Sequence, residues 1–189
     1  MIELKEKFSI PAPPDEVWPL MSDPAVVAAC IPGAELTEVT PDGAHRGKVT
    51  FKFGPTVAVF RGETRLTFGH PVKRCLIESR GIDQKGASRA RARFEVAAHG
   101  TDTTEVTMDG GFEVAGPLEM FASAGGVHVA RALLAEFAAN IARVIEQRRS
   151  GGSDAVPEQA PAASGTKILG RALLDGARSM IGKKDKESE

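Results

Sequence analysis

The residues best suited to chemistry are few. The chain has four histidines (His45, His70, His99 and His128), two cysteines and no tyrosine. No histidine stands at metal-ligand spacing from another histidine or a cysteine, and CxxC is absent, so a zinc site is not expected. His70 and His99 fall at expected turns, where solvated histidines are common. Cys30 (AACIP) and Cys75 (RCLIE) lie among apolar neighbours and read as buried free thiols. DGAHRGKVT at 42–50 resembles a phosphate loop, but it lacks the first glycine and leads into a strand rather than a helix. Glu78 and Asp83 have neither the parity nor the position of an acid–base pair. GxSxG and GxGxxG are absent. The expected sets of catalytic and metal-binding residues are therefore empty.

Two groups of residues remain, one apolar and one cationic. The phenylalanines at 51, 53, 60, 68, 94 and 112 share the inward parity of alternating runs. With neighbours of the same parity and the closing helix they give a candidate ligand cavity. Its lining is Phe51, Phe53, Phe60, Leu66, Phe68, Ile77, Phe94, Val96, Met108, Phe112, Phe121, Leu133 and Phe137. Plain core packing is the competing role for most of them. Arg89, Arg91 and Arg93 take the opposite face of ASRARARFEVAA. They read as cross-strand partners of Glu105 and Asp109, each pair worth ~0.2–1 kcal/mol. A docking patch for an acidic partner is the alternative. No aromatics interleave with the stripe, and the net charge is -1, so nucleic acid is not an expected partner.

The elements that position these residues follow from periodicity. Residues 2–10 alternate as a strand. PAPPDEVWPLMSDPAVVAACIPG then holds two short helices, with Asp15 or Pro14 opening the first and Ser22 or Asp23 capping the second ahead of Pro24. From Ala34 to Val114 about six strands follow, divided by PDG, DQKG and HGTD. Each has one apolar and one polar face, which describes an antiparallel sheet wet on one side. Val129, Leu133, Leu134, Phe137, Ile141, Val144 and Ile145 then recur at helical spacing, with Gly125 and Gly126 weakening the first turns. Such a stripe must lie on the dry face of the sheet. The expected fold is α+β: a helix-grip arrangement, a curved antiparallel sheet of about seven strands around a long C-terminal helix. Small inward residues (Ala58, Gly62, Ala90 and Ala92) leave room for an unfilled interior.

The 189 residues, 42% hydrophobic and 26% charged, suit one soluble domain with something left over. The expected domain is 1–149. A Gly/Pro/Ala/Ser linker follows at 150–165, then an amphipathic helix at 166–184 and a charged tail at 185–189. MIELKEKFSI has no apolar core of a signal peptide, and no run reaches ~18 apolar residues, so a cytoplasmic location is expected. In the tail, Ile168, Leu169, Leu173, Leu174, Ala177, Met180 and Ile181 supply apolar contact, and Lys167, Arg171, Arg178, Lys183 and Lys184 supply charge. The expected role of this helix is peripheral contact with the inner face of the cytoplasmic membrane. A partner's groove or the chain's own domain are the alternatives.

CIPGAE at 30–35, GKVTFKFGPTVAVFRGE at 47–63 and ALLAEFAANIARVI at 132–145 resemble the carbon monoxide dehydrogenase G-subunit family of the START-like superfamily, over roughly residues 1–149. The resemblance implies a non-catalytic companion of a molybdenum hydroxylase that holds the enzyme at the membrane and couples it to the respiratory chain. It implies no covalent cofactor, and a bound quinone or lipid-like molecule in the cavity. An assembly factor with a filled core, and a cyclase- or hydrolase-like enzyme, are the other readings.

Overall fold

Nine alternating residues, Ile2–Ile10, form the first strand, β1. The computed structural model describes residues 1–53, 56–152 and 155–161, with backbone alone at 53 and 56. Two short helices follow, α1 (Pro14–Met21) and α2 (Pro24–Cys30). Asp23 caps α2: its carboxylate accepts from the amides of Ala25 at 2.9 Å and Val26 at 3.3 Å, and Pro24 has no amide to satisfy. Six strands then run in order: β2 (Ala34–Val39), β3 (His45–Phe53), β4 (Thr56–Gly69), β5 (Arg74–Asp83), β6 (Arg89–Gly100) and β7 (Thr104–Ala115). The chain closes on α3 (Glu119–Arg149).

The strands make one antiparallel sheet in the order β1-β7-β6-β5-β4-β3-β2. Consecutive strands pair from β2 to β7, and β1 closes the far edge against β7, with Ile2 opposite Phe112 and Phe8 opposite Val106. Since β1 and β2 lie on opposite edges, α1 and α2 must cross from one edge to the other. The crossing walls off one end of the sheet's apolar face.

That end is the packed core. Ile10, Val17, Val26, Val106 and Ile141 are each 0–1% exposed there, and Phe8 meets Phe137 edge-on at 6.3 Å. Burying a side chain such as Ile141 contributes roughly 1.5–3 kcal/mol. The polar groups in this region are partnered. Asn140 donates to the Cys30 carbonyl at 2.7 Å, satisfying the end of α2. The Thr104 hydroxyl donates to the Ala12 carbonyl at 2.7 Å. Arg149 grips Glu16 through two nitrogens, at 2.9 and 3.0 Å, and fixes the end of α3 to α1.

The arginine stripe departs from expectation. Register places Arg89 opposite Ala115 and Arg93 opposite Gly111, so neither meets an acid on β7. Asp109 bonds Lys5 at 3.3 Å and Glu105 bonds Lys7, because β1 takes the other side of β7, and Glu105 also bonds His99, which stands opposite it on β6. Arg93 turns instead to Glu78 on β5. His99 lies within β6 rather than in a turn, and His70 opens one turn of 3-10 helix.

Candidate functional site

The two halves of α3 do different work. Its C-terminal half supplies the buried Phe137, Asn140, Ile141, Val144 and Ile145, whereas its N-terminal half buries only Ala122. Ahead of Phe137 the helix stands off the sheet. Between them lies a cavity of about 430 Å³ with an almost wholly apolar wall. A volume in this range suits a small organic ligand.

The sheet contributes Phe51, Phe60, Leu66, Phe68, Ile77, Phe94, Val96, Met108 and Phe112, and α3 contributes Phe121, Leu133 and Phe137. Phe53 belongs to β3, and its side chain lies outside the described residues. The parity of each strand brings these side chains to one face. Phe51 meets Phe60 edge-on at 6.2 Å across β3 and β4. Gly126 permits the approach of α3: a Cβ there would stand 2.8 Å from the Phe112 ring.

Periodicity alone did not single out the remaining wall. It comes from Leu4 and Phe8 of β1, Trp18 and Met21 of α1, and Pro24, Val27 and Ile31 at α2. The even parity of β1 was a usable signal for the first two. Helices of seven or eight residues are too short to declare a face. Trp18 donates its indole N–H to His70 Nδ1 at 3.2 Å, and His70 stacks on Phe68 at 5.3 Å. This contact ties α1 to the turn after β4.

Polar groups at the wall are sparse. Ser79, Arg80, Arg91 and Glu113 border the cavity, and the Ser79 hydroxyl lies 2.8 Å from that of Thr64. One proton serves the bond between them, leaving the other free to donate. Cys75 also borders the space, and burial pushes its thiol up, with the Thr67 backbone pulling it back. Both cysteines are buried and free. Among the described residues no group of three or more His, Cys, Asp or Glu could hold a metal ion.

Two small inward residues serve another purpose than emptiness. Ala58 is buried outside the cavity wall. A Cβ on Gly62 would stand 2.1 Å from the Arg80 carbonyl oxygen, so the glycine lets β4 and β5 approach closely here. Ala90 and Ala92 do border the cavity. Phe121 does so while 44% exposed, so the cavity reaches the surface beside the first turn of α3.

The segment after α3 returns to this region. Ala160 donates to the Ala29 carbonyl at 3.0 Å and accepts from the Gly33 amide at 3.2 Å. The expected helix at 166–184, with all its contact residues, the tail at 185–189 and Gly54–Pro55 of the motif lie outside the described residues. Among those described, no helix is long and apolar enough to cross a membrane.

A family model for the G subunit of carbon monoxide dehydrogenase (CoxG) matches residues 7–146. No curated protein matches the chain. Many solved structures share the fold, among them the following three. A conserved protein from Geobacillus kaustophilus matches at a TM-score of 0.66 and 18% identity, covering 77% of this chain and 96% of that one. A START superfamily protein from Mycobacterium smegmatis matches at 0.52 and 17%, covering 77% and 98%. A norcoclaurine synthase from Thalictrum flavum, a point mutant in complex with a transition state analogue, matches at 0.52 and 16%, covering 78% and 95%. The fold is thus START-like, with a long C-terminal helix against a seven-stranded antiparallel sheet.

Proposed function

The chain belongs to the carbon monoxide dehydrogenase G-subunit (CoxG) family, and on that premise we propose that it is a non-catalytic accessory protein that carries a hydrophobic ligand for a molybdenum hydroxylase. The observation that supports this most is the unfilled apolar cavity between the sheet and the N-terminal half of α3. A quinone fits its chemistry. The rings of Phe51, Phe60, Phe94 and Phe112 offer apolar and edge-on contact, and the Ser79–Thr64 pair offers one hydroxyl proton to a carbonyl oxygen. No covalent cofactor is needed for carriage. Residues 166–184 would rest on the inner face of the cytoplasmic membrane, where a lipid-soluble ligand is loaded.

The test is extraction. Full-length protein purified under mild conditions should release one apolar species, near one per chain, detectable by mass spectrometry. Ala92→Phe, which puts a ring into the cavity, should purify empty. Wild-type protein that releases nothing apolar and binds no added quinone would sink the carrier role.

An enzyme on the same scaffold is the second reading, favoured by the likeness to a norcoclaurine synthase. It predicts turnover of the extracted ligand by the purified chain alone, whereas a carrier returns it unchanged.

A further inference from the structure

The arginines that find no carboxylate partner within the sheet have the outward parity of their strands, and two residues of the groove they border, Arg80 and Arg91, also border the cavity. Register aligns two rows across β3 to β6. One row is Lys48, Arg61, Ile82 and Arg89, and the next is Arg46, Glu63, Arg80 and Arg91. Beside them Gly47, Gly62 and Gly81 stand directly opposite one another and floor a shallow groove. Six cations and one carboxylate, that of Glu63, border the groove.

Charge is compensated at one end only. On the β2–β3 side, Arg46 bonds Glu38 at 2.6 Å and Lys48 bonds Glu35 at 2.8 Å. Arg80 takes Glu63 at 2.6 Å. Arg61, Arg89 and Arg91 are exposed and have no carboxylate within ion-pair distance among the described residues. That holds even for Glu113, which stands opposite Arg91 on β7. Lys48 stands directly opposite Arg61, and Arg80 directly opposite Arg91. Like charges so placed destabilise a sheet. Ile82, 41% exposed, lies in register between Arg61 and Arg89.

We propose that this groove, centred on Ile82 and bordered by Arg61, Arg89 and Arg91, is the docking site for an acidic surface of the partner enzyme. Arginine rather than lysine supplies the uncompensated charge, and arginine suits protein interfaces because its planar fork takes a carboxylate through two bonds. A glycine floor admits a protruding chain. A membrane is a poorer fit, because its uniform negative plane would meet the Glu63 carboxylate inside the patch. The cavity also reaches the surface by Phe121 of α3, across the sheet from this face.

The proposal rests on the reading that the partner is a molybdenum hydroxylase. The experiment measures binding of the full chain to the purified hydroxylase of the same organism at low and high salt. The probe variant is Arg61→Gln/Arg89→Gln/Arg91→Gln, with Lys5→Gln on the far edge as control. Wild type and control should bind and weaken with salt, and the triple variant should lose affinity on the order of tenfold. Unchanged circular dichroism will show that the variant folds, as exposed unpaired side chains predict. If the triple variant binds as tightly as wild type, the groove is not the dock, although the partner stands. If wild type does not bind at all, the partner itself is wrong and the dock falls with it. Loss of binding to phosphatidylglycerol vesicles with unchanged hydroxylase binding would make the patch a membrane surface and overturn the proposal.

Discussion

Trp18 is the chain's single tryptophan, it is 6% exposed, and it borders the cavity. Its indole proton lies on His70 Nδ1, which fixes that nitrogen as an acceptor. Two other residues carry predictions of their own. Burial pushes the Cys30 thiol up to about 11, with Arg143 pulling it back, and burial pushes Cys75 up as well. Both should resist DTNB at pH 8 in the folded protein and react fully once it is denatured. Rapid native labelling of Cys30 would mean that the packed core opens to solvent. Hydrogen bonds from Thr40 and Arg65 hold the Asp42 carboxyl down to about 2. The folded group titrates below its unfolded counterpart, so its contribution is full above the usual carboxylate range and is lost as pH falls toward about 2. Asp42→Asn should therefore lower stability slightly in the neutral region and leave it little changed near pH 2, so that the acid limb of the stability–pH curve flattens. An unaltered limb would show that this exposed pair contributes nothing. At this scale the sequence was informative about what points inward and silent about what pairs outward. Alternation gave the faces of Phe51, Phe60 and Phe94. It could not show that β1 would bring Lys5 and Lys7 to the acids of β7, which depends on register between chain segments a hundred residues apart.

Among the elements, α3 best separates the two demands on the fold. Gly125 and Gly126 look alike in the sequence and differ in the structure. A Cβ on Gly125 meets nothing within 4 Å, whereas one on Gly126 meets Phe112 at 2.8 Å. Gly125→Ala should stabilise the protein by roughly 0.5–1 kcal/mol through helix propensity. Gly126→Ala should gain less, or lose, and should weaken ligand binding by displacing Phe112. Thermal melts of both variants with ligand titrations will check this, and equal gains with intact binding would remove Gly126 from the wall. Gly62→Ala should be among the most damaging single changes, because backbone rather than a movable side chain stands at 2.1 Å. The number and order of elements were legible from period and turn residues. The α1–α2 wall was not, because a two-turn helix shows no stripe and only the crossing between sheet edges decides which side it buries.

For the whole molecule, the anchorage of Ala160 changes what a tether can do. The chain leaves the described fold beside the junction of α2 and β2, where Val27 and Ile31 border the cavity, rather than from the far end of α3. A chain ending at Pro161 keeps both bonds of Ala160, while one ending at Arg149 loses them. The second should be less stable than the first by ~1–3 kcal/mol, at ~0.5–1.5 kcal/mol per bond. Equal stabilities would show that the return segment is not held. The measurement that most directly tests ligand carriage is quenching of Trp18 fluorescence by added menadione, with wild type beside Ala92→Phe. Carriage predicts saturable quenching at one site in wild type, a shift to far higher concentration in Ala92→Phe, and a raised melting temperature for the liganded wild type alone. Linear, unsaturable quenching that is the same in both proteins would mean that the quinone meets Trp18 only by collision, and that the cavity is not a binding site.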